Sequence, residues 1–63
     1  MPIITLEGPQ INDLGKRREM IAKVTNAAAE YYAMPAEKII VLVKSNTPDN
    51  VAVGGELISD LNP

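Results

Sequence analysis

Apolar residues recur along this chain with three different spacings, and each spacing predicts a kind of element. Ile3-Ile4-Thr5-Leu6-Glu7 is short and mostly β-branched, and Gly8-Pro9 follows it as a breaker, so residues 3–7 read as a strand. From Leu14 onward, Leu14, Ile21, Val24, Ala28 and Tyr31 fall at helical spacing and form one stripe. Met20, Ala27 and the neighbouring alanines widen that stripe beyond what a single sheet face needs. Asn12 or Asp13 suits the N-cap, Gly15 weakens the first turn, and Glu19 and Lys23 make an i,i+4 pair on the polar face. Pro35 disfavours helical geometry at Met34, so the helix is expected to end near Tyr32, where Tyr31 and Tyr32 take a packing role.

The third pattern is continuous. Ile39-Ile40-Val41-Leu42-Val43 has no polar alternation, as expected of a strand covered on both faces. Strand, helix and buried strand make a β-α-β unit with parallel strands and a right-handed crossover, an α/β (α+β) fold class. Residues 45–50 (Ser-Asn-Thr-Pro-Asp-Asn) read as a polar loop. Val51-Ala52-Val53, a Gly54-Gly55 turn needing positive φ, and Glu56-Leu57-Ile58 predict a short C-terminal β-hairpin or tail. Its valines suit pairing with a neighbouring subunit.

Size sharpens this picture. The 63 residues form one small domain, 1–63, and a domain this short buries only about 60% of its unfolded surface. Such scaffolds recruit disulfides, a metal or oligomerisation. With neither cysteine nor histidine in the chain, disulfides and the common zinc sites are excluded. Since 46% of residues are hydrophobic, a homo-oligomer is the expected staple.

Charge and hydropathy exclude other classes. A net charge of −2, with one basic cluster (Lys16-Arg17-Arg18) beside Asp13 and Glu19, argues against nucleic-acid binding. The longest apolar run, residues 39–43, falls far short of the ~20 residues that span a bilayer. No signal-peptide pattern is visible, so a cytoplasmic location is the expectation.

The missing residue types also narrow the chemistry. No Ser-His-Asp or Cys-His arrangement can be built. Gly54-Gly55 lacks the following Lys-Ser/Thr of a phosphate loop, and the carboxylates are scattered without metal-loop spacing. Pro2 remains. Once Met1 is removed it carries a free secondary amine, and an α-amino group titrates at roughly 7.7–8.0 before burial lowers it. With Met1 in place the same nitrogen is a tertiary amide without basicity, and proline at this position also serves simply to permit methionine removal.

Met1-Pro2-Ile3 at the start, Leu6-Glu7-Gly8 after the first strand and Val53-Gly54-Gly55-Glu56-Leu57 near the end occur in one order over essentially the whole chain. In these motifs the sequence resembles the 4-oxalocrotonate tautomerase family. The resemblance implies a mature chain beginning with a catalytic proline, here Pro2, whose neutral nitrogen moves a proton in a keto–enol tautomerisation of a 2-keto acid. It implies a cation holding the substrate carboxylate, no cofactor and no metal. It also implies hexamers, usually trimers of dimers, with pockets shared between subunits.

The departures are specific. The family's arginine after the first strand falls here at Pro9 or Asn12, its arginine early in the second strand at Ile40, and its aromatic before the Gly-Gly turn at Val51. Substitute cations are Lys16 and Arg17 at the helix start and Lys38, which would share a strand face with Ile40 about 6.6 Å away. Lys44 shares that face at roughly twice the distance. The expectation is therefore a homo-oligomeric tautomerase with Pro2 as base and Lys16 or Arg17, from an adjacent subunit, binding a small-molecule carboxylate. Alternatives are a Pro2-dependent hydratase or dehalogenase, an aldol-type addition through an iminium, or a non-catalytic homologue.

Overall fold

The computed structural model describes residues 1–61. Strand β1 (Ile3–Pro9) is followed by helix α1 (Leu14–Tyr32), a 3-10 turn (Ala36–Lys38) and strand β2 (Ile40–Asn46). β1 and β2 pair in parallel from Ile3↔Ile40 to Pro9↔Asn46. Both strands extend beyond expectation at their C-terminal ends. Gly8 and Pro9 continue β1 rather than breaking it, and Ser45 and Asn46 continue β2 rather than opening the loop. Pro9 is tolerated because β1 borders only one other strand, and an edge position needs no outward N–H. Ile39 lies before β2, its N–H closing the 3-10 turn on the Ala36 carbonyl at 3.0 Å.

Asp13, of the two N-cap candidates, caps α1: its Oδ1 accepts from the Lys16 N–H at 3.0 Å. Gly15 leaves room for that carboxylate, since a Cβ there would meet Asp13 Oδ1 at 3.3 Å. The helix ends in a Schellman motif, with the Ala33 N–H donating to the Glu30 carbonyl and the Met34 N–H to the Ala29 carbonyl. Ala33 adopts φ 54° to close it. The Glu19–Lys23 pair forms at 3.0 Å.

The stripe on α1 is displaced from its expected course. Arg17, Ile21, Val24 and Ala28 are its half-buried members, with Thr25 and Ala29 beside them. Leu14 (58% exposed) and Tyr31 (82%) fall outside it. The two tyrosine rings stack edge-to-face with each other, centroids 5.0 Å apart, instead of packing on the sheet. An arginine stem thus takes the stripe position that a leucine was expected to fill.

Burial alternates along β1: Ile4, Leu6 and Gly8 are half-covered by the helix layer, and Ile3, Thr5, Glu7 and Pro9 are open. Register partners share a face, so Ile40, Leu42 and Lys44 join the open side. The second strand is consequently covered on one face only within a chain, against expectation, and Leu42 is 46% exposed. Among the described residues none is fully buried.

The C-terminal hairpin is present as β3 (Ala52–Val53) and β4 (Glu56–Leu57), joined through Gly54 at φ 60° and Gly55 at φ 84°. Both positive angles are what a two-residue type I′ turn demands. Ile58 starts a short helix, α2 (Ile58–Leu61), rather than extending the strand. This arm packs on a 3-10 turn at Pro48–Asn50. The molecule measures 44 × 25 × 13 Å, and its radius of gyration of 15.1 Å exceeds the about 11 Å of a compact chain this long. No described helix is long and apolar enough to cross a membrane.

Candidate functional site

Pro2 sits where the parallel sheet begins. Its carbonyl accepts from the Ile40 N–H at 3.0 Å, which fixes the residue as the first rung of the ladder. Pro2 is half-buried, whereas Met1, the residue whose removal frees the amine, is 83% exposed. Lys38 lies at this end too, but in the 3-10 turn and not in a strand. The expected spacing of one strand repeat to Ile40 therefore does not apply, because the turn winds residues 36–38 before the extended run starts. The Lys38 N–H is spent on the Pro35 carbonyl at 3.0 Å.

At the opposite end of β1 a cavity of about 480 Å³ opens between the strand ends and the first turns of α1. Leu6, Pro9, Ile11, Met20 and Val43 supply its apolar lining, Lys16 and Arg17 border it from the helix, and Lys44 borders it from the strand. The fold places Arg17 there by successive constraints. Asp13 fixes the first helical turn through its side chain, and its carbonyl accepts from the Arg17 N–H at 3.0 Å. The guanidinium Nη2 then donates to the Ile11 carbonyl at 3.0 Å. Arg17 is the one half-buried side chain among the six basic residues. A planar donor fork held in this way keeps further N–H groups for a carboxylate.

Glu7 also borders the cavity, beside its register partner Lys44, and its Oε2 accepts from Asn46 Nδ2 at 2.9 Å. Among the described residues there is no group of carboxylates arranged to hold a metal ion.

The candidate residues thus divide between two ends of one strand. Pro2 and Lys38 are at one end, and Lys16 and Arg17 border the cavity at the other. Seven strand residues separate them, roughly 20 Å of extended chain. Val51 belongs to neither group in this chain: half-buried at the base of the arm, it accepts from the Ile58 N–H at 2.8 Å. Sequence reasoning set Lys44 aside on distance from Ile40, yet Lys44 lines the cavity. It also passed over the apolar wall. Ile11, an aliphatic residue in the otherwise polar Gln10–Asp13 connection, was the one available signal.

Comparison with known proteins adds four findings of one kind. Residues 2–61 match the family described as "Tautomerase enzyme". The chain is 31% identical over 61 residues to a 2-hydroxymuconate tautomerase of Bacillus subtilis, an alignment covering 97% of this chain and 98% of that one. Among solved structures it is similar to DmpI from Archaeoglobus fulgidus, at 41% identity, TM-score 0.81, and coverage of 94% of this chain and 100% of that one. It is also similar to a 4-oxalocrotonate tautomerase homologue, at 27% identity and TM-score 0.85 over 95% of each chain.

Proposed function

The chain belongs to the tautomerase family and is an isomerase of tautomerase type, and on that premise we propose that Pro2, freed of Met1, is its general base. The substrate is a 2-keto acid or a dienol carboxylate. The neutral nitrogen removes the enol hydroxyl proton, the electron pair shifts through the conjugated double bond, and the prolinium returns the proton to carbon. No proton or electron is consumed overall, so the step asks for no cofactor. An amine that titrates near the working pH serves both halves of this exchange.

The observation that carries the proposal is the placement of Pro2: half-buried, anchored through its carbonyl by Ile40, and bearing a projecting Met1. The base then lies at a fixed position on a rigid strand, as a catalytic group requires.

Lys16 or Arg17 of a second copy supplies the cation in this reading, with Lys38 the basic side chain at the Pro2 end of the same chain. β1 has a free edge. A second copy laid antiparallel along that edge brings its own Pro2 toward Pro9, at the mouth of the cavity, and a two-fold axis makes the arrangement reciprocal. The absence of any buried residue among those described, together with the open face of Ile3, Ile40 and Leu42, supports a homo-oligomer. Hexameric assembly and the placement of Val51 in a shared pocket belong to the same reading.

The test combines intact mass with turnover. Protein lacking Met1 should ketonise simple enol acids, followed by ultraviolet absorbance, and Pro2→Ala should lower kcat/KM by at least about 10²-fold. Equal rates for the two proteins, or activity undiminished when Met1 is retained, would defeat the assignment of the base.

A further inference from the structure

We infer that the ligand of the cavity beside Arg17 is a monocarboxylate with an apolar body, and not a dicarboxylate. The inference rests on the tautomerase reading for what becomes of the ligand, but not for how it binds.

The charges that one chain places around the cavity leave one oriented anchoring point. Glu7 and Lys44, register partners on the open face of the sheet, border the cavity from the side away from α1. There the Glu7 carboxylate accepts from Asn46 Nδ2. Lys16 is exposed, whereas Arg17 is half-buried and held by the Ile11 carbonyl. A single carboxylate therefore finds one oriented guanidinium.

The rest of the lining selects against further charge. Leu6, Ile11, Met20 and Val43 offer only carbon and a thioether sulfur to an occupant. A second carboxylate lodged against them would gain no donor for the water it gives up, which is the costly case for a charged group. An alkyl or aryl tail gains from the same surface. The volume of about 480 Å³ lies within the usual range for small-molecule sites. Met20, on the helix one turn beyond Arg17, is unbranched and so adapts to tails of differing shape.

Two non-reactive probes of equal chain length test this, hexanoate and adipate, titrated calorimetrically into the assembled protein. Hexanoate should bind at least about tenfold more tightly than adipate, and Arg17→Ala should weaken hexanoate by about tenfold or more. Met20→Asp should weaken hexanoate while Met20→Leu preserves it, and Ile11→Asp in the connection repeats the test should the helix variant fail to fold. Equal or tighter binding of adipate, no binding of either probe, or hexanoate affinity untouched by these variants would overturn the inference. Loss of Pro2-dependent turnover with the hexanoate preference intact would defeat only the catalytic reading. Pro2-dependent turnover with a preference for adipate would defeat only this one.

Discussion

The two ends of β1 differ in what they contain and in what they lack. At the Pro2 end the backbone is fixed by the ladder and a candidate base sits on a rigid strand. At the Pro9 end a cavity, an oriented arginine and an apolar wall converge, a strand's length from Pro2. The same incompleteness marks the packing, since a helix covers one sheet face and leaves the other open. The core is thus unfinished within one chain, and on the proposed reading the site is unfinished for the same reason. A β-α-β unit of this size has one helix and two sheet faces, and a strand of seven residues holds its ends too far apart for one substrate to touch both.

The largest effect should come from denying the chain its second copy. Leu42→Asp sets a carboxylate on the open face, where burial without a partner costs several kcal/mol. The expected result is loss of assembly by light scattering together with loss of turnover. A monomer that retained full activity would show that one chain holds a complete site. Next comes complementation. Co-expressed Pro2→Ala and Arg17→Ala chains, each impaired alone, should regain about one quarter of the wild-type sites by random pairing, because a shared site draws its base and its cation from different copies. If one chain supplied both groups, no mixture would recover. Smaller again is Arg17→Ala by itself, which should raise KM about 10- to 100-fold with a lesser change in kcat, as loss of a charge-assisted contact made in ground and transition states alike.

How much of this was legible in the sequence follows from the range of each interaction. The β-α-β order, Asp13 as a cap candidate, the helix end before Pro35 and the Gly54-Gly55 turn depend on neighbours within a few residues, and each could be read directly. The extension of β1 through Pro9 could not, because it depends on a pairing with Asn46 across the sheet. Nor could the shift of the helix stripe from Leu14 to Arg17, which is set by where the sheet ends under the helix. Of the candidate site, Pro2 stands out in the sequence because its chemistry follows from its place in the chain, and Lys16 and Arg17 because they flank the helix start. Lys38 was misplaced, since nothing in residues 36–38 announces a 3-10 turn before an aliphatic run. The wall of Leu6, Ile11, Met20 and Val43 comes from four separate segments and was beyond any local pattern.

The smallest effect concerns the platform that holds both ends apart. Ala33 is the one residue other than glycine with positive φ among those described, at 54°, and it closes the Schellman motif at the end of α1. A side chain in this region meets its own carbonyl, at a cost of roughly 1–2 kcal/mol. Alanine bears this cost because the two hydrogen bonds of the motif, Ala33 to Glu30 and Met34 to Ala29, satisfy carbonyls otherwise left without partners. Ala33→Gly removes the clash and keeps both bonds, although glycine also loses more entropy on folding. The net gain should be about 0.5–1 kcal/mol, read as a higher urea midpoint at fixed protein concentration. Turnover should stay unchanged, because the helix end carries neither the base nor the arginine. A fall in stability would show that the left-handed turn at Ala33 is not adopted in the assembled protein, and that α1 there ends differently beside the Pro2 end of the sheet.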